Sequence, residues 1–523
     1  MNVPQAPSPS NQGFRAFADE LRKRAATWTQ SAVFAREQPG ATALWSARGS
    51  RSFAELHEAA NRLASHLRGL GLQPGDAVAL MCSNRPEFVE VLLAALRCGL
   101  RLTPVSTHLT TAEAAYIVAD CQARVLFVES ALSGTAIEGV ARIVIGEASY
   151  TAALASGSAD DDERACAGKL MLYTSGTTGR PKGVYSRKAD CVEPQYEGSF
   201  ANYQPGDVQL CAGPAYHSAP LLFDLRWPLA SGVPIVLVDK WDTREVLRAI
   251  EQHRVTHAHM VPTMFQRLLA LPQAERERYD VSSLRLVIHG AAPCPVHVKQ
   301  ALIDWLGPVL IEYYAATEGG DNIHVNSVDW LRRPGTVGRL DPSRGHRILD
   351  EQGNDVPVGS VGRIYFRAPA EDRFEYFGDP AKTAAAYAGD RFTLGDLGYV
   401  DEEGWLFLTG RSAETIISGG VNIYPREIDD VLNGHPAVAQ VCTVGAPDPE
   451  WGERVVSVVV PAAGHAPTPE LAGQLIAHAA TQLAGYKRPR EIVFEQALPH
   501  SGTGKLLRAE VRQRFWADRD KAL

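Results

Sequence analysis

No uninterrupted apolar run in the 523 residues reaches the roughly 18 residues that a membrane helix needs, which argues against a membrane span. The chain has no Cys-x-x-Cys pair and no His-Glu-x-x-His, so the common zinc spacings are missing. Eight cysteines (82, 98, 121, 166, 191, 211, 294, 442) are scattered singly and read as reduced, mostly buried thiols. His257 and His259 lie two apart on one face of an expected strand. Without further ligands they read as strand-end histidines. Positive charge is in deficit: the net charge of −8 disfavours a general nucleic-acid or anionic-membrane surface. The N-terminus, Met-Asn-Val-Pro-Gln-Ala-Pro-Ser-Pro-Ser, lacks the apolar core of a secretion signal, and the expected location is the cytoplasm.

What remains is ordinary globular material, 45% hydrophobic and 21% charged, at a length suited to two or three domains. Strand and helix patterns alternate. Residues 78–82 form a short apolar run, 86–98 a helix opened by Pro86 and closed by Gly99, and 100–106 a second strand. The order recurs at 284–290, 295–306 and 309–314. Such βαβ units imply parallel sheet covered by helices, with ligands bound beyond the carboxyl ends of the strands. His289-Gly290-Ala291 and Thr317-Glu318 stand at those ends. After residue 411 the rhythm changes to a small α+β unit of about a hundred residues. The expected fold is α/β: a large N-terminal domain of parallel or mixed sheets with covering helices (1–411), plus a small mobile α+β C-terminal domain (412–523). A hinge between them invites a site at their junction.

The strongest local signal is Tyr173-Thr174-Ser175-Gly176-Thr177-Thr178-Gly179-Arg180-Pro181-Lys182-Gly183. Glycines let backbone N–H groups approach an anion closely, hydroxyls add donors, and Lys182 adds a point charge. This is chemistry for a polyphosphate. It is not a Walker A loop, because Lys182 is followed by Gly183 rather than Ser or Thr. A Gly/Thr surface loop is the plain alternative. A second glycine-rich motif with a lysine, Ser501-Gly502-Thr503-Gly504-Lys505, stands near the C-terminus of a chain with only ten lysines.

The first motif closely resembles the phosphate loop of the adenylate-forming superfamily, which includes acyl-CoA synthetases, peptide-synthetase adenylation domains and beetle luciferases. Six further motifs follow in the family order: His289–Pro293, Tyr314-Ala315-Ala316-Thr317-Glu318, Thr393–Asp396, Thr409–Arg411, Ser418–Pro425 and Pro499–Lys505. The resemblance implies that Thr174, Ser175, Gly176, Thr177, Thr178, Gly179 and Lys182 hold the ATP phosphates. It implies that Gly290, Ala291, Ala292 and Pro293 wall the adenine and that Tyr314 stacks on it. Thr317 would bond a phosphate, Glu318 would hold Mg²⁺, and Asp396 and Arg411 would hold the ribose. Lys505 would bridge carboxylate and α-phosphate, and His217 would lie between nucleotide and acid. Gly419 and Gly420 would line the coenzyme A channel.

Two departures stand out. Ala315 replaces the usual glycine, and its methyl is expected to press on the adenine side. Ala413 replaces the usual polar hinge residue. The expected reaction activates a carboxylic acid with ATP and passes it to coenzyme A. The acid pocket is expected near His217, Arg226, Val261 and Cys294. Residues 326–338 lean toward fatty and bulky alicyclic or aromatic acids. Three other readings stand beside this one. They are loading of a carrier-protein thiol, a P-loop phosphoryl transferase, and a non-catalytic nucleotide-binding interaction protein. The oligomeric state is left open.

Overall fold

The computed structural model describes residues 31–132, 134, 137, 139–161, 166–174, 181–186, 192–196, 198–370, 373–418, 421–501 and 504–516. Two large sheets face each other. The first has eight strands, in the order Gly319–Asn326, Leu310–Ala316, Leu286–His289, His257–Met260, Gln209–Cys211, Ile235–Leu237, Thr42–Ser46 and Arg51–Ser52. Its inner strands run parallel and both edge pairings are antiparallel. The second has seven strands, in the order Phe374–Tyr376, Lys182–Ser186, Lys169–Thr174, Arg101–Pro104, Ala77–Met81, Ala123–Glu129 and Ala141–Ile145.

Helices Phe53–Gly69 and Pro86–Arg97 lie between these sheets and share one core with both. Ser52 opens the first helix through a capping box with Glu55. Pro86 opens the second, where its missing N–H costs nothing. Helices Thr243–His253, Pro262–Leu269 and Val296–Leu306 cover the outer face of the eight-stranded sheet. Thr111–Asp120 covers the outer face of the other. Both sequence-derived βαβ units are present.

A third sheet was not expected. Seven antiparallel strands between Gly338 and Arg411 form it, three of them only two residues long. Its last long pair, Asp396–Val400 and Trp405–Arg411, sets Asp396 directly opposite Arg411. The chain then makes one tight turn, Ser412–Glu414, and enters a five-stranded sheet. Helices Pro425–Asn433 and Pro469–Gln482 pack on one face of that sheet, and Arg508–Trp516 on the other. Among the described residues, no helix is long and apolar enough to cross a membrane.

Candidate functional site

The two glycine-rich motifs occupy different parts of the fold. Thr174 ends one strand and Lys182 begins the next, and the two are cross-strand partners at the mouth of an antiparallel hairpin. Ser175, Gly176, Thr177, Thr178 and Gly179 lie outside the described residues, as do Gly419 and Gly420. Lys182 is half-buried, with its ammonium 4.8 Å from the centre of the Tyr376 ring. Burial, then the neighbouring Lys382 charge, hold its proton affinity below the usual lysine range, while Glu318 and Asp379 pull the other way.

The Tyr314–Glu318 motif sits where the strand Leu310–Ala316 ends. Alternation along that strand sends neighbouring side chains to opposite faces. Tyr314 is buried on one face against Phe366 and donates its hydroxyl to Asp396 Oδ2 at 2.8 Å. Arg411 Nε donates to Asp396 Oδ1 at 2.9 Å. Burial, then the Asp396 carboxylate, push the Tyr314 phenol well up, so it remains a hydrogen-bond donor. Ala315 takes the other face. It is half-buried and packs against the core cluster that includes Phe223, Ile288 and Tyr313.

Thr317 and Glu318 are both half-buried. The Thr317 hydroxyl lies 3.3 Å from Ser218 Oγ, and Glu318 Oε1 accepts from the Tyr376 hydroxyl at 3.3 Å. Among the described residues no three His, Cys, Asp or Glu side chains gather into a metal-holding group. A carboxylate beside a hydroxyl nevertheless fits Mg²⁺, a hard cation that takes most of its ligands from phosphates and water.

The turn Gly290–Pro293 follows the strand Leu286–His289. A Cβ on Gly290 would lie 2.6 Å from the Tyr313 ring, so glycine is required there. Ala291 has φ +65°, a left-handed conformation that costs a residue with a Cβ about 1–2 kcal/mol. Below the turn, His289 is fully buried and the Lys299–Glu312 ion pair is closed at 2.8 Å.

His217 stands on the loop before a π-helical stretch, Pro220–Arg226. Asn84 fixes that loop: its amide donates to the Gly213 and Val238 carbonyls at 2.8 and 3.0 Å, and its oxygen accepts from Ala215 N–H at 2.8 Å. His217 Nε2 is buried and has no hydrogen-bond partner among the described residues. Burial, with His108 nearby, holds its proton affinity down at about 4, so the ring is neutral at physiological pH. Phe223 of the π-helical stretch joins an aromatic cluster with Phe200, Trp227, His259 and Tyr313. Of the residues expected around the acid, Cys294 is buried in the core on the outer face of the sheet and half-buried Val261 packs against it. His257 and His259 make internal contacts: His257 Nε2 meets the Ala201 carbonyl and His259 Nε2 meets the Tyr313 hydroxyl.

From the small domain, the turn Ser501–Lys505 reaches into this assembly. Ser501 N–H donates to the Lys505 carbonyl at 2.8 Å and Gly504 N–H to the Ser501 carbonyl at 2.8 Å. Lys505 is held below the usual lysine range by burial and then by Arg411, while Glu414, Asp396 and Glu318 oppose them. The ammonium is therefore in the electrostatic field of Arg411, Asp396 and Glu318 of the large domain. Gly504 has φ +78° and comes so near helix Pro262–Leu269 that a Cβ would sit on Thr263 Oγ1. Gly504→Ala is accordingly expected to slow acyl-adenylate formation about tenfold, the effect of 1–2 kcal/mol of left-handed strain. Thioester formation from supplied acyl-adenylate should be unchanged. Equal losses in the two assays would contradict this.

At the turn between the domains, Ala413 is flanked by two anchored residues. Ser412 N–H donates to the Gly395 carbonyl at 2.8 Å and Ser412 Oγ accepts from Arg363 at 3.2 Å. Glu414 pairs with Arg508 of the small domain at 3.2 Å.

Comparison with known proteins agrees with this geometry. Residues 31–371 match the family described as AMP-binding enzyme, and residues 427–505 match the AMP-binding enzyme C-terminal domain. The chain is 34% identical to a feruloyl-CoA synthase of Amycolatopsis sp, over 92% of this chain and 97% of that one. It is 32% identical to the fatty acid–[acyl-carrier-protein] ligase ScoC of Streptomyces coeruleorubidus, over 94% and 97%. The amide bond synthetase McbA of Marinactinospora thermotolerans superposes with a TM-score of 0.80 at 28% identity, over 91% of this chain and 97% of that one.

Proposed function

Because the chain belongs to the AMP-binding family of adenylate-forming enzymes, we propose that it is an ATP-dependent acyl-CoA synthetase acting on a fatty, alicyclic or aromatic carboxylic acid. The observation that carries this reading is the close approach of Gly504, the neighbour of Lys505, to Thr263 of the large domain, with Lys505 in the field of Arg411, Asp396 and Glu318. A binding module has no need of a cation delivered from a second domain to the nucleotide's reacting end.

In the first half-reaction a carboxylate oxygen bonds to the α-phosphorus of ATP. The bond from that phosphorus to the bridging oxygen breaks, and pyrophosphate leaves with the electron pair. Lys182, with Thr174 and the loop residues Ser175, Gly176, Thr177, Thr178 and Gly179, holds the departing phosphates. Glu318 would anchor Mg²⁺, which when bound neutralises phosphate charge. Thr317 donates to a phosphate oxygen. Asp396 and Arg411 hold the ribose, with Tyr314 beside the adenine and Gly290–Pro293 as its wall. Lys505 stabilises the charge that builds at the α-phosphate. Neutral His217 separates nucleotide from acid without adding charge to either.

In the second half-reaction a thiol sulfur bonds to the acyl carbon, AMP leaves, and the thiol proton passes to solvent. The chain divides for this step at 411/412, with Ala413 in the pivot, and the small domain turns to exchange Lys505 for Gly419 and Gly420 along the thiol's path. The anchored neighbours Ser412 and Glu414 supply the polar contacts that Ala413 lacks. A cytoplasmic location accords with the supply of ATP and coenzyme A.

The test is product analysis with Mg-ATP, coenzyme A and a panel of acids. Acyl-CoA, AMP and pyrophosphate are expected, and ADP with phosphate would refute the reading. The similarity to the carrier-protein ligase ScoC favours one second reading, transfer to a carrier-protein thiol. Turnover with a carrier protein in place of coenzyme A decides between them.

A further inference from the structure

The sequence motifs assign one lysine, Lys182, to the polyphosphate end of the site, but the fold brings a second beside it. Strand Phe374–Tyr376 pairs antiparallel with Lys182–Ser186, with Tyr376 opposite Val184, so the chain returns past Lys182 as it leaves that strand. Phe377 N–H donates to the Gly183 carbonyl at 2.8 Å. A turn then leads into the short helix Pro380–Ala385.

This return is tightly braced. Asp379 Oδ1 accepts from Lys382 N–H at 2.9 Å. Thr383 Oγ1 donates to the Asp379 carbonyl at 2.8 Å and accepts from Tyr376 N–H at 2.9 Å. The bracing ties Thr383, the residue next to Lys382, to Tyr376, whose ring carries Lys182, and the Lys382 charge bears on Lys182. Tyr376 lies under Lys182 and donates to Glu318, joining the lysine pair to the carboxylate expected to anchor magnesium.

Two neighbouring positive charges repel, and a braced backbone that keeps them near one another is favourable when an anion lies against both. Lysine is scarce here, with ten among 52 basic residues, yet Lys182, Lys382 and Lys505 all converge on the surroundings of Glu318. A compact ammonium suits a flexible polyphosphate, which needs charge more than fixed bidentate geometry. We propose that Lys382 is a second cation of the polyphosphate site, binding with Lys182 the phosphates that leave as pyrophosphate; this rests on the adenylation reading above. Tyr376 positions Lys182 and Glu318 for the same ligand.

The experiment is calorimetric titration of the full chain with Mg-ATP, magnesium pyrophosphate and AMP, for the wild type, Lys382→Ala and Lys382→Arg. Lys382→Ala is expected to lose about tenfold or more in affinity for ATP and pyrophosphate, the scale of one charge-assisted hydrogen bond. AMP, which lacks the outer phosphates, should bind as before and also report an intact fold. Lys382→Arg should restore most of the loss. Unchanged ATP and pyrophosphate affinity, or an equal loss for AMP, would overturn the assignment of Lys382 while leaving the adenylation reading in place. Wild-type protein that binds neither ATP nor pyrophosphate would overturn both.

Discussion

Replacing Lys505 by alanine is expected to slow acyl-adenylate formation by roughly 10²–10³, the scale for losing one preorganised charge-stabilising donor. The ammonium comes from the small domain, on a turn closed by hydrogen bonds between Ser501 and Lys505. It lies near Arg411, Glu414, Asp396 and Glu318 of the large domain and the turn that follows it. It can occupy that place in one domain orientation. Burial and Arg411 lower its proton affinity, and charge building on the α-phosphate in the transition state would restore it. The stabilisation is therefore greater in the transition state than in the ground state, which is what raises a rate. Thioester formation from chemically supplied acyl-adenylate should be nearly untouched in the same variant. The check is to assay each half-reaction alone. Equal slowing of both would show that Lys505 only supports the fold.

Asp396→Ala should have the next largest effect, a loss of about 1.5–3 kcal/mol in ATP affinity, since hydrogen bonds to a charged group are worth that much. The carboxylate accepts from both Tyr314 and Arg411, at 2.8 and 2.9 Å. Its removal takes away the ribose acceptor and releases two further groups of the nucleotide site. Tyr314 is buried, so its hydroxyl would lose its partner in a place poor in water. Titration of the variant with ATP and AMP should show matched losses, because both nucleotides carry the ribose. A loss confined to ATP would move Asp396 from the ribose to the phosphates.

The parallel units were legible because their strands are short apolar runs punctuated by proline and glycine, as at Pro86 and Gly99. The antiparallel sheet between Gly338 and Arg411 was not, since strands such as Arg391–Phe392 are too short to show a period. The π-helical stretch Pro220–Arg226 also lacks a sequence signature. At the site, contiguous motifs such as Tyr314–Glu318 could be read directly. Tyr376 and Lys382 could not: they reach Lys182 and Glu318 only through the pairing of strand Phe374–Tyr376, about 190 residues beyond its partner. Ala315 packs against the core cluster that holds Tyr313, while Tyr314 belongs to another, a partition that depends on which strands meet across the sheets. At the hinge, the missing polar side chain at Ala413 drew notice, while Ser412 and Glu414 beside it make the contacts.

The central claim is that the chain activates a carboxylic acid as an acyl-adenylate with release of pyrophosphate. The most direct measurement is exchange of labelled pyrophosphate into ATP across a panel of carboxylic acids, with no thiol present. Exchange that depends on the acid is expected, because adenylation is reversible and complete before the thiol enters. Exchange that ignores the acid, or ADP formed in place of pyrophosphate, would contradict it.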